Sequence, residues 1–186
     1  HGDQIINVIG VEQSHPQILV RTALGLSGTE EAIAAYQGSR HLAYELVTLE
    51  GQAMSGRKGI SLSADDVISE AIDRSRALMD VKTPDLESID QVARQVGVGA
   101  LRFSLLKSEA RRAIDFRWDL ALSLQGDSAP YVQYAHARAC SILRVGSKVG
   151  LDIELADWDQ IGLLEVRLAQ VIARFPSVVK VAAAEL

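Results

Sequence analysis

The chain has 186 residues, of which 48% are hydrophobic, 23% are charged and 5% are aromatic. These proportions are typical of a globular protein with one domain or a domain and a half. No apolar run reaches the length of a membrane-spanning helix, so we expect no membrane partner. The formal net charge of −5 argues against a protein that holds DNA or RNA through bulk positive charge, and leaves room for a large RNA bound at local basic patches.

The chain has one cysteine, Cys140, which rules out an internal disulfide and fits a reducing cytoplasm. We expect Cys140 to be a small buried residue on a helix rather than a nucleophile. No group of His, Cys, Asp and Glu has the spacing of metal ligands, so the sequence predicts no protein-bound metal.

The first part of the chain alternates strand and helix patterns. An apolar, β-branched run at 5–11 predicts a buried strand of a parallel sheet, and helical spacing follows over 16–28 and, more briefly, over 29–38. Residues 41–49 return to the character of a strand. This order predicts a doubly wound α/β sheet, in which the loops at the carboxyl ends of the strands bind ligands.

Two capped helices are predicted next. Ser63 is expected to cap a helix that has Asp65 and Asp66 at its positive end. Ser88 and Gln91 have the spacing of a capping box that opens a helix over 89–107. Gly97 lies within that helix, where it favours close packing of a neighbouring helix over a nucleotide loop.

Beyond residue 107 the pattern is helical, apart from a short stretch at 116–122. A helix is predicted to begin at Pro130, and two more, at 163–175 and 177–186, to be separated at Pro176. The predicted buried side of the first of these helices consists of Val132, Ala135, Ala139, Ile142 and Leu143. Because the first strand begins without a preceding turn and the last helix stops while it is still apolar, we expect both ends to be cut.

Two tryptophans and a charge alternation have plain structural interpretations. Trp118 and Trp158 are expected to anchor contacts between helices rather than to stack on RNA. The alternation of Asp115, Arg117 and Asp119 is interpreted as a solvated face.

The segment with the most chemical content is residues 51–59, GQAMSGRKG, and we call its last six residues, 54–59, the MSGRKG loop. Its glycines let the backbone approach a ligand closely, and Arg57 and Lys58 beside a hydroxyl suit a phosphate chain. Cations in this place can neutralise the charge that builds up on phosphates in a transition state. Physical reasoning by itself favours the alternative, a solvated basic turn.

A family resemblance gives the loop a more specific interpretation. MSGRKG, between a strand and a capped helix, resembles the KMSKS signature loop of class I aminoacyl-tRNA synthetases, and its Arg-Lys-Gly ending resembles the arginyl enzymes in particular. The segment INVIGVEQSHPQ is similar to the strand and turn before the adenosine site of that family. The segments DFRWDLALSLQGDSAPYVQYAHARACSIL and IARFPSVVKVAAAEL are similar to the first helices of its anticodon-binding domain.

The resemblance covers nearly the whole chain, and it implies both a fold and an activity. The implied fold is α/β, with the C-terminal half of a Rossmann-like parallel-sheet nucleotide-binding domain at 1–108 and part of an all-α anticodon-binding bundle at 109–186. The implied activity is that of a cytoplasmic arginine–tRNA ligase, which forms arginyl-adenylate from arginine and ATP and transfers arginine to tRNA-Arg. ATP would bring Mg²⁺ as a substrate complex, and neither DNA nor a membrane is an implied partner.

The resemblance also implies roles for the residues that bind ATP. Ser55, Arg57 and Lys58 are the implied catalytic residues, and the two cations would face the phosphates. Met54 and Ser55 would lie near the adenine and the ribose. The nucleotide pocket would be completed by His15 and His41.

Arginine and tRNA have implied contacts of their own. Gln13 or Glu12 would lie near the arginine substrate. Tyr131 and Ala135, one helical turn apart, would form a small pocket for a base of the anticodon loop, where aromatic stacking on unpaired bases is the usual means of recognition.

The chain departs from the family pattern in two ways. Ala53 and Gly56 stand where the signature has lysines, which leaves Arg57 and Lys58 as the cations of the loop. The sequence also has no HIGH-type motif, so we expect no aminoacylation by this chain alone. The alternatives are a non-catalytic tRNA- or nucleotide-binding module derived from a synthetase, another class I synthetase, and a generic α/β nucleotide-binding protein.

Overall fold

The computed structural model describes residues 4–53, 63–82, 88–150, 152, 154 and 157–185. Within these ranges the chain is mostly helical, with short strands in two small sheets. It divides into two units, His1–Arg138 and Ala139–Leu186. None of the helices in the described ranges is both long and apolar enough to cross a membrane.

The first unit begins with a pair of parallel strands. Strand β1 (Ile5–Gly10) is followed by a 3-10 turn (Val11–Gln13) and by helices α1 (Ser14–Leu26) and α2 (Glu30–Gly38), and β2 (Ser39–Tyr44) returns beside β1. The register runs from Ile5 opposite Ser39 to Gly10 opposite Tyr44. The predicted order of strand, helix, helix and parallel strand is thus confirmed. The predicted burial of β1 is wrong, since Val8 is 60% exposed.

The strand predicted over 41–49 is two strands in two different sheets. β2 ends at Tyr44, and β3 (Val47–Leu49) pairs in parallel with β5 (Ile114–Phe116) and antiparallel with β4 (Gln52–Ala53). The change of partner occurs at Glu45 and Leu46: the Glu45 N–H donates to the carbonyl of Ala110 at 2.9 Å, and the Leu46 carbonyl accepts from Ile114 at 3.1 Å. The predicted strand is interrupted at these two residues because the backbone changes its hydrogen-bonding partner, not because the residues lose strand character.

Helices α3 (Ala64–Lys82) and α4 (Ile89–Leu106) pack closely against each other. The prediction for Gly97 is confirmed, because a Cβ at this position would lie 2.6 Å from the carbonyl oxygen of Ala71 in α3. The core of the unit lies beside this contact and under β5, and its buried residues are Ala71, Ala100, Leu101, Phe116, Trp118 and Ala121.

The two predicted helix caps differ in outcome. Ser63 caps α3 as expected, with its Oγ accepting from the Asp66 N–H at 3.1 Å. Ser88 precedes α4 without a side-chain cap hydrogen bond, so that capping box is wrong. Its ψ of 38° departs from the extended backbone that a capping side chain usually requires.

Helix α5 (Trp118–Ala121) and the first part of α6 (Ala129–Lys148) complete the first unit. Pro130 lies at the start of α6, as predicted. The predicted buried side of α6 is wrong, because all of its residues are exposed: Val132, Ala135, Ala139, Ile142 and Leu143. Cys140 is exposed as well. Helical periodicity marks an apolar face, but it does not supply an element that covers the face.

The second unit contains the rest of α6 and helix α7 (Leu163–Glu185). The predicted break at Pro176 is wrong, since Pro176 lies inside α7. Proline removes a single N–H from the helical ladder, and the turns on either side continue. Trp158 lies on a 3-10 turn (Trp158–Gln160) and is 61% exposed, so it does not anchor a helix contact as predicted.

Candidate functional site

At the MSGRKG loop, the structure describes the elements before and after the loop, and not the loop itself. Met54, Ser55, Arg57 and Lys58 lie outside the described residues. The chain reaches the loop through β4, which ends at Ala53, and leaves it at the capped start of α3. The capped helix after the loop is as the sequence predicted, whereas the strand directly before it, β4, lies in residues that were expected to be loop after a strand at 41–49.

The turn between β3 and β4 has an unusual backbone at both of its central residues. Glu50 has φ 51° and Gly51 has φ 74°, the left-handed values of the tight hairpin turn that matches the twist of two strands. Glycine adopts this conformation freely, but a residue with a Cβ disfavours it by about 1–2 kcal/mol. The Glu50 N–H donates to the Phe116 carbonyl at 2.9 Å, which offsets part of that cost.

Asp115 ties this turn to β5. Its Oδ1 accepts from the Gly51 N–H at 2.7 Å and from the Thr48 hydroxyl at 2.8 Å. The hydrogen bond from Gly51, followed by that from Thr48, lowers the pKa of Asp115 below its ordinary value. The interpretation of Asp115, Arg117 and Asp119 as a solvated face is confirmed, since all three are exposed, but the sequence did not predict these hydrogen bonds of Asp115. Its partners lie 64 and 67 residues away along the chain, and the one sequence signal was an acid between two apolar residues of a short strand, Ile114 and Phe116.

Asp115 reaches from β5 to the turn, and Glu50 reaches from the turn in the opposite direction, to the residues that follow β5. Its Oε1 accepts from the Trp118 N–H at 3.0 Å, and Trp118 is the first residue of α5. The first N–H groups of a helix have no partner within the helix, so the carboxylate satisfies a donor that would otherwise need one. Trp118 is 6% exposed and meets the Phe116 ring edge-on, with 4.8 Å between centroids. The prediction that Trp118 anchors packing is confirmed.

The exit of the loop is fixed by a reciprocal cap. Asp66 Oδ2 accepts from the Ser63 N–H at 2.9 Å and from the Ser63 hydroxyl at 2.7 Å. The hydroxyl bond is the first cause, and the N–H bond the second, of a lowered pKa at Asp66. A carboxylate in the first turn also interacts favourably with the positive end of the helix.

A cavity of about 640 Å³ lies between the two flanks of the loop. Its lining residues are Leu49, Glu50, Gln52, Asp66, Glu70, Arg74 and Trp118. Arg74 pairs with Glu70 at 2.6 Å, and its guanidinium lies 5.1 Å from the centroid of the Trp118 ring. With more carboxylates than cations, this lining by itself favours a positively charged group. An anionic phosphate would need the cations of the loop.

The second group of predicted site residues lies at the carboxyl end of β1. Glu12 and Gln13 belong to the 3-10 turn after Gly10, and His15 is the second residue of α1. The carboxylate of Glu12 folds back to the place that a Cβ on Gly10 would occupy. His41, in β2, is joined to β1 by a contact of 3.0 Å between its Nε2 and the Ile9 carbonyl oxygen. A carbonyl only accepts, so this Nε2 carries the proton, and a neutral ring leaves Nδ1 as an acceptor.

Tyr131 and Ala135 lie one turn apart on the same side of α6, and both are exposed. Ser128 holds the start of this helix, because its hydroxyl accepts from the Tyr131 N–H at 3.3 Å and donates to the Ser123 carbonyl at 2.5 Å. The cap fixes the backbone of Tyr131, while 47% of the residue remains exposed. The described geometry thus presents an aromatic ring and a small neighbour to solvent.

Comparison with known proteins adds family evidence to this geometry. A model of the DALR anticodon binding domain matches residues 132–186. The chain is 47% identical to the arginine–tRNA ligase of Deinococcus radiodurans over 98% of its own length and 30% of that protein. It is 53% identical to the arginine–tRNA ligase of Thermus thermophilus over 80% of its length and 24% of that protein. The corresponding protein of Pyrococcus furiosus is 40% identical over 100% of the chain and 30% of that protein.

A solved structure supports the same relationship. The chain superposes on Thermus thermophilus arginyl-tRNA synthetase with a TM-score of 0.81 and 46% identity, covering 99% of this chain and 29% of that one. The chain spans about 30% of the length of the curated relatives it matches. The identities lie far above the level at which only the fold would be shared, and they extend over both units. The chain therefore belongs to the arginyl-tRNA synthetase family.

Proposed function

We propose that this chain is part of an arginine–tRNA ligase, which activates arginine with ATP and transfers it to tRNA-Arg in the cytoplasm. The observation that carries the proposal is the 47% identity to a protein of that name over 98% of the chain. The identity of the amino acid follows from these relatives, which leaves no observation in favour of another class I synthetase.

The MSGRKG loop is the proposed ATP-binding element. Arg57 and Lys58 neutralise charge on the phosphates, Met54 and Ser55 lie beside the adenine and ribose, and Ser55 adds a hydroxyl donor. Mg²⁺ arrives bound to ATP and supplies further charge neutralisation. The frame of the loop supports this assignment, with a tight turn and strand before it and a capped helix after it.

We assign the nucleotide and arginine contacts to the carboxyl end of the parallel strands. The pair β1 and β2 is proposed as the C-terminal half of a Rossmann-like sheet, supported by its parallel register and its helical crossover. His15 and His41 line the nucleotide pocket, and the Nδ1 of His41 can accept from a hydroxyl or an amine. Glu12 or Gln13 contacts the arginine, and a carboxylate suits the guanidinium.

Helix α6 is the proposed contact for the anticodon loop. Tyr131 stacks on an unpaired base, and Ala135 leaves room for that base one turn further along the helix. The exposed position of both residues supports this assignment, as does the match to an anticodon binding domain over 132–186, which includes Ala135 and begins one residue after Tyr131. We place the boundary between the catalytic part and the anticodon-binding part at 108/109.

Aminoacylation by the complete gene product tests the proposal. The protein is incubated with ATP, Mg²⁺, a tRNA pool and each radiolabelled amino acid in turn. We expect arginine alone to become attached, and only to tRNA-Arg. Attachment of a different amino acid would overturn the arginine assignment, and binding of tRNA without attachment of any amino acid would favour a non-catalytic module.

A further inference from the structure

The turn that leads into the MSGRKG loop is held by two carboxylates that reach in opposite directions. From the turn, Glu50 reaches β5 and α5: its N–H donates to Phe116 at 2.9 Å, and its Oε1 accepts from the Trp118 N–H at 3.0 Å. We call these two hydrogen bonds, together with those of Asp115 to the turn, the Glu50–Asp115 clasp.

The other half of the clasp starts from β5. Asp115 Oδ1 accepts from the Gly51 N–H at 2.7 Å and from the Thr48 hydroxyl at 2.8 Å. Thr48 lies in β3 and Gly51 in the turn, so one carboxylate oxygen fixes the strand and its reversal together. Bonds of this kind to a charged acceptor are stronger than bonds between neutral groups.

We propose that Glu50 and Asp115 are positioning residues, which hold the start of the MSGRKG loop in the place where its cations reach the phosphates of ATP. This inference rests on the function proposed above. Under this inference neither Glu50 nor Asp115 touches ATP, and both act through the backbone of the turn.

The backbone of Glu50 supports a positioning role. Its φ of 51° is disfavoured for a residue with a Cβ, and such conformations persist where the surrounding contacts determine them. Glycine or asparagine would take the same turn more easily. Neither has the length of a glutamate side chain, which here spans from the turn to the Trp118 N–H.

The clasp also relates both flanks of the loop to one core. Phe116 and Trp118 are buried, at 4% and 6% exposure, and Val67 and Ile68 of α3 pack against the same cluster. The clasp ties the turn before the loop to this core, and α3, which follows the loop in the sequence, packs on the same core. Displacement of the turn would therefore shift it relative to the start of α3, and a misplacement of about 1 Å in a catalytic group can cost a factor of 100 in rate.

The test is arginine-dependent exchange of labelled pyrophosphate into ATP by the complete gene product. Glu50→Gly relieves the backbone strain but removes the Oε1 acceptor, and Asp115→Ala removes both acceptor bonds of that residue. We expect each to lower kcat/KM for ATP by about 10- to 100-fold, with KM for arginine changed by no more than about 2-fold. Glu50→Gln and Asp115→Asn keep an acceptor oxygen and should stay within about 5-fold of the wild type.

Asp119→Asn is the matched control, since Asp119 is an exposed acid four residues after Asp115 and pairs with Arg117 instead of the turn. It should leave both KM values unchanged. If Asp115→Ala fails to fold, Thr48→Val removes one bond of the clasp, together with the long contact of 3.4 Å from the same hydroxyl to the Ile114 carbonyl, and we expect about a 3- to 10-fold loss in kcat/KM for ATP.

The outcomes separate this inference from the function on which it rests. Wild-type protein that shows no arginine-dependent exchange overturns the proposed function and this inference with it. If the wild-type protein is active and Glu50→Gly and Thr48→Val keep normal kinetics for ATP, the inference is overturned and the proposed function stands. The same holds if their activity falls only in proportion to the folded fraction measured by circular dichroism.

Discussion

Substitution of Gly97 by alanine perturbs the contact between α3 and α4 without changing any charge or hydrogen-bonding group. A Cβ at Gly97 would lie 2.6 Å from the Ala71 carbonyl oxygen, 2.7 Å from its carbon and 2.9 Å from the Ile72 nitrogen. All three atoms belong to backbone within a helix, so no side chain can rotate away. Ordinary contact begins near 3.4 Å, and the two helices must therefore separate by most of an ångström.

The magnitude follows from two opposing effects. Overpacking of a tight core contact typically destabilises by about 1–3 kcal/mol, and the size of this clash indicates the upper end of that range. Alanine stabilises the interior of a helix over glycine by about 1 kcal/mol. We therefore expect Gly97→Ala to lower the free energy of unfolding by about 2 kcal/mol, which corresponds to a fall in Tm of about 4–8 °C for a protein of this size.

Gly99→Ala is the matched control in the same helix. Its Cβ would meet Nε2 of Gln133 at 2.8 Å, the far end of a flexible side chain, so the cost should not exceed about 1 kcal/mol. Urea and thermal unfolding, followed by circular dichroism, compare the two variants with the wild type. If Gly97→Ala is as stable as the wild type, or less affected than Gly99→Ala, the argument from close approach is refuted.

Three further predictions concern a cap, a core residue and a surface residue. The lowered pKa of Asp66 means that its ionised form stabilises the fold above an ordinary carboxyl pKa of roughly 4, and that this stabilisation is lost as the pH falls through the lowered value. The difference in urea midpoint between wild type and Asp66→Asn should thus shrink from about pH 7 to about pH 3, and a difference that stays constant would contradict this prediction. Trp118→Ala should cost about 3–5 kcal/mol, whereas Trp158→Ala should stay within about 0.5 kcal/mol, as measured by urea unfolding; equal losses would show that the difference in burial does not decide stability. Tyr131→Ala should weaken tRNA-Arg binding by about 5- to 100-fold in a filter-binding assay, and Tyr131→Phe should keep most of the affinity; a loss as large in the phenylalanine variant would point to the hydroxyl instead of stacking.

Local patterns predicted the helices and the first parallel strands well, because capping, proline at a helix start and apolar periodicity act within a few residues. Ser63 and Pro130 are examples of such local signals, and both begin a helix as expected. Long-range partners were not predictable in the same way. The break at Glu45 depends on a carbonyl at Ala110, and nothing near residue 45 in the sequence indicates it.

The candidate site shows the same distinction. Composition and resemblance predicted a site at the MSGRKG loop, which stays a prediction, but they did not predict the Glu50–Asp115 clasp. Asp115 is exposed, as expected, but it accepts a hydrogen bond from Gly51, 64 residues away, and an acid in a short strand has no local feature that indicates such a partner. Burial on α6 was overpredicted for a related reason, since an apolar stripe predicts that a face can be covered but not which element covers it.

The central claim is that the MSGRKG loop carries the ATP chemistry of an arginine-activating enzyme. Exchange of labelled pyrophosphate into ATP by the complete gene product, with and without arginine, measures that step directly. We predict exchange that requires arginine and falls by at least about 100-fold in Arg57→Ala, with the folded fraction unchanged. Exchange that is absent from the wild type, or that persists at the wild-type rate in Arg57→Ala, would contradict the claim.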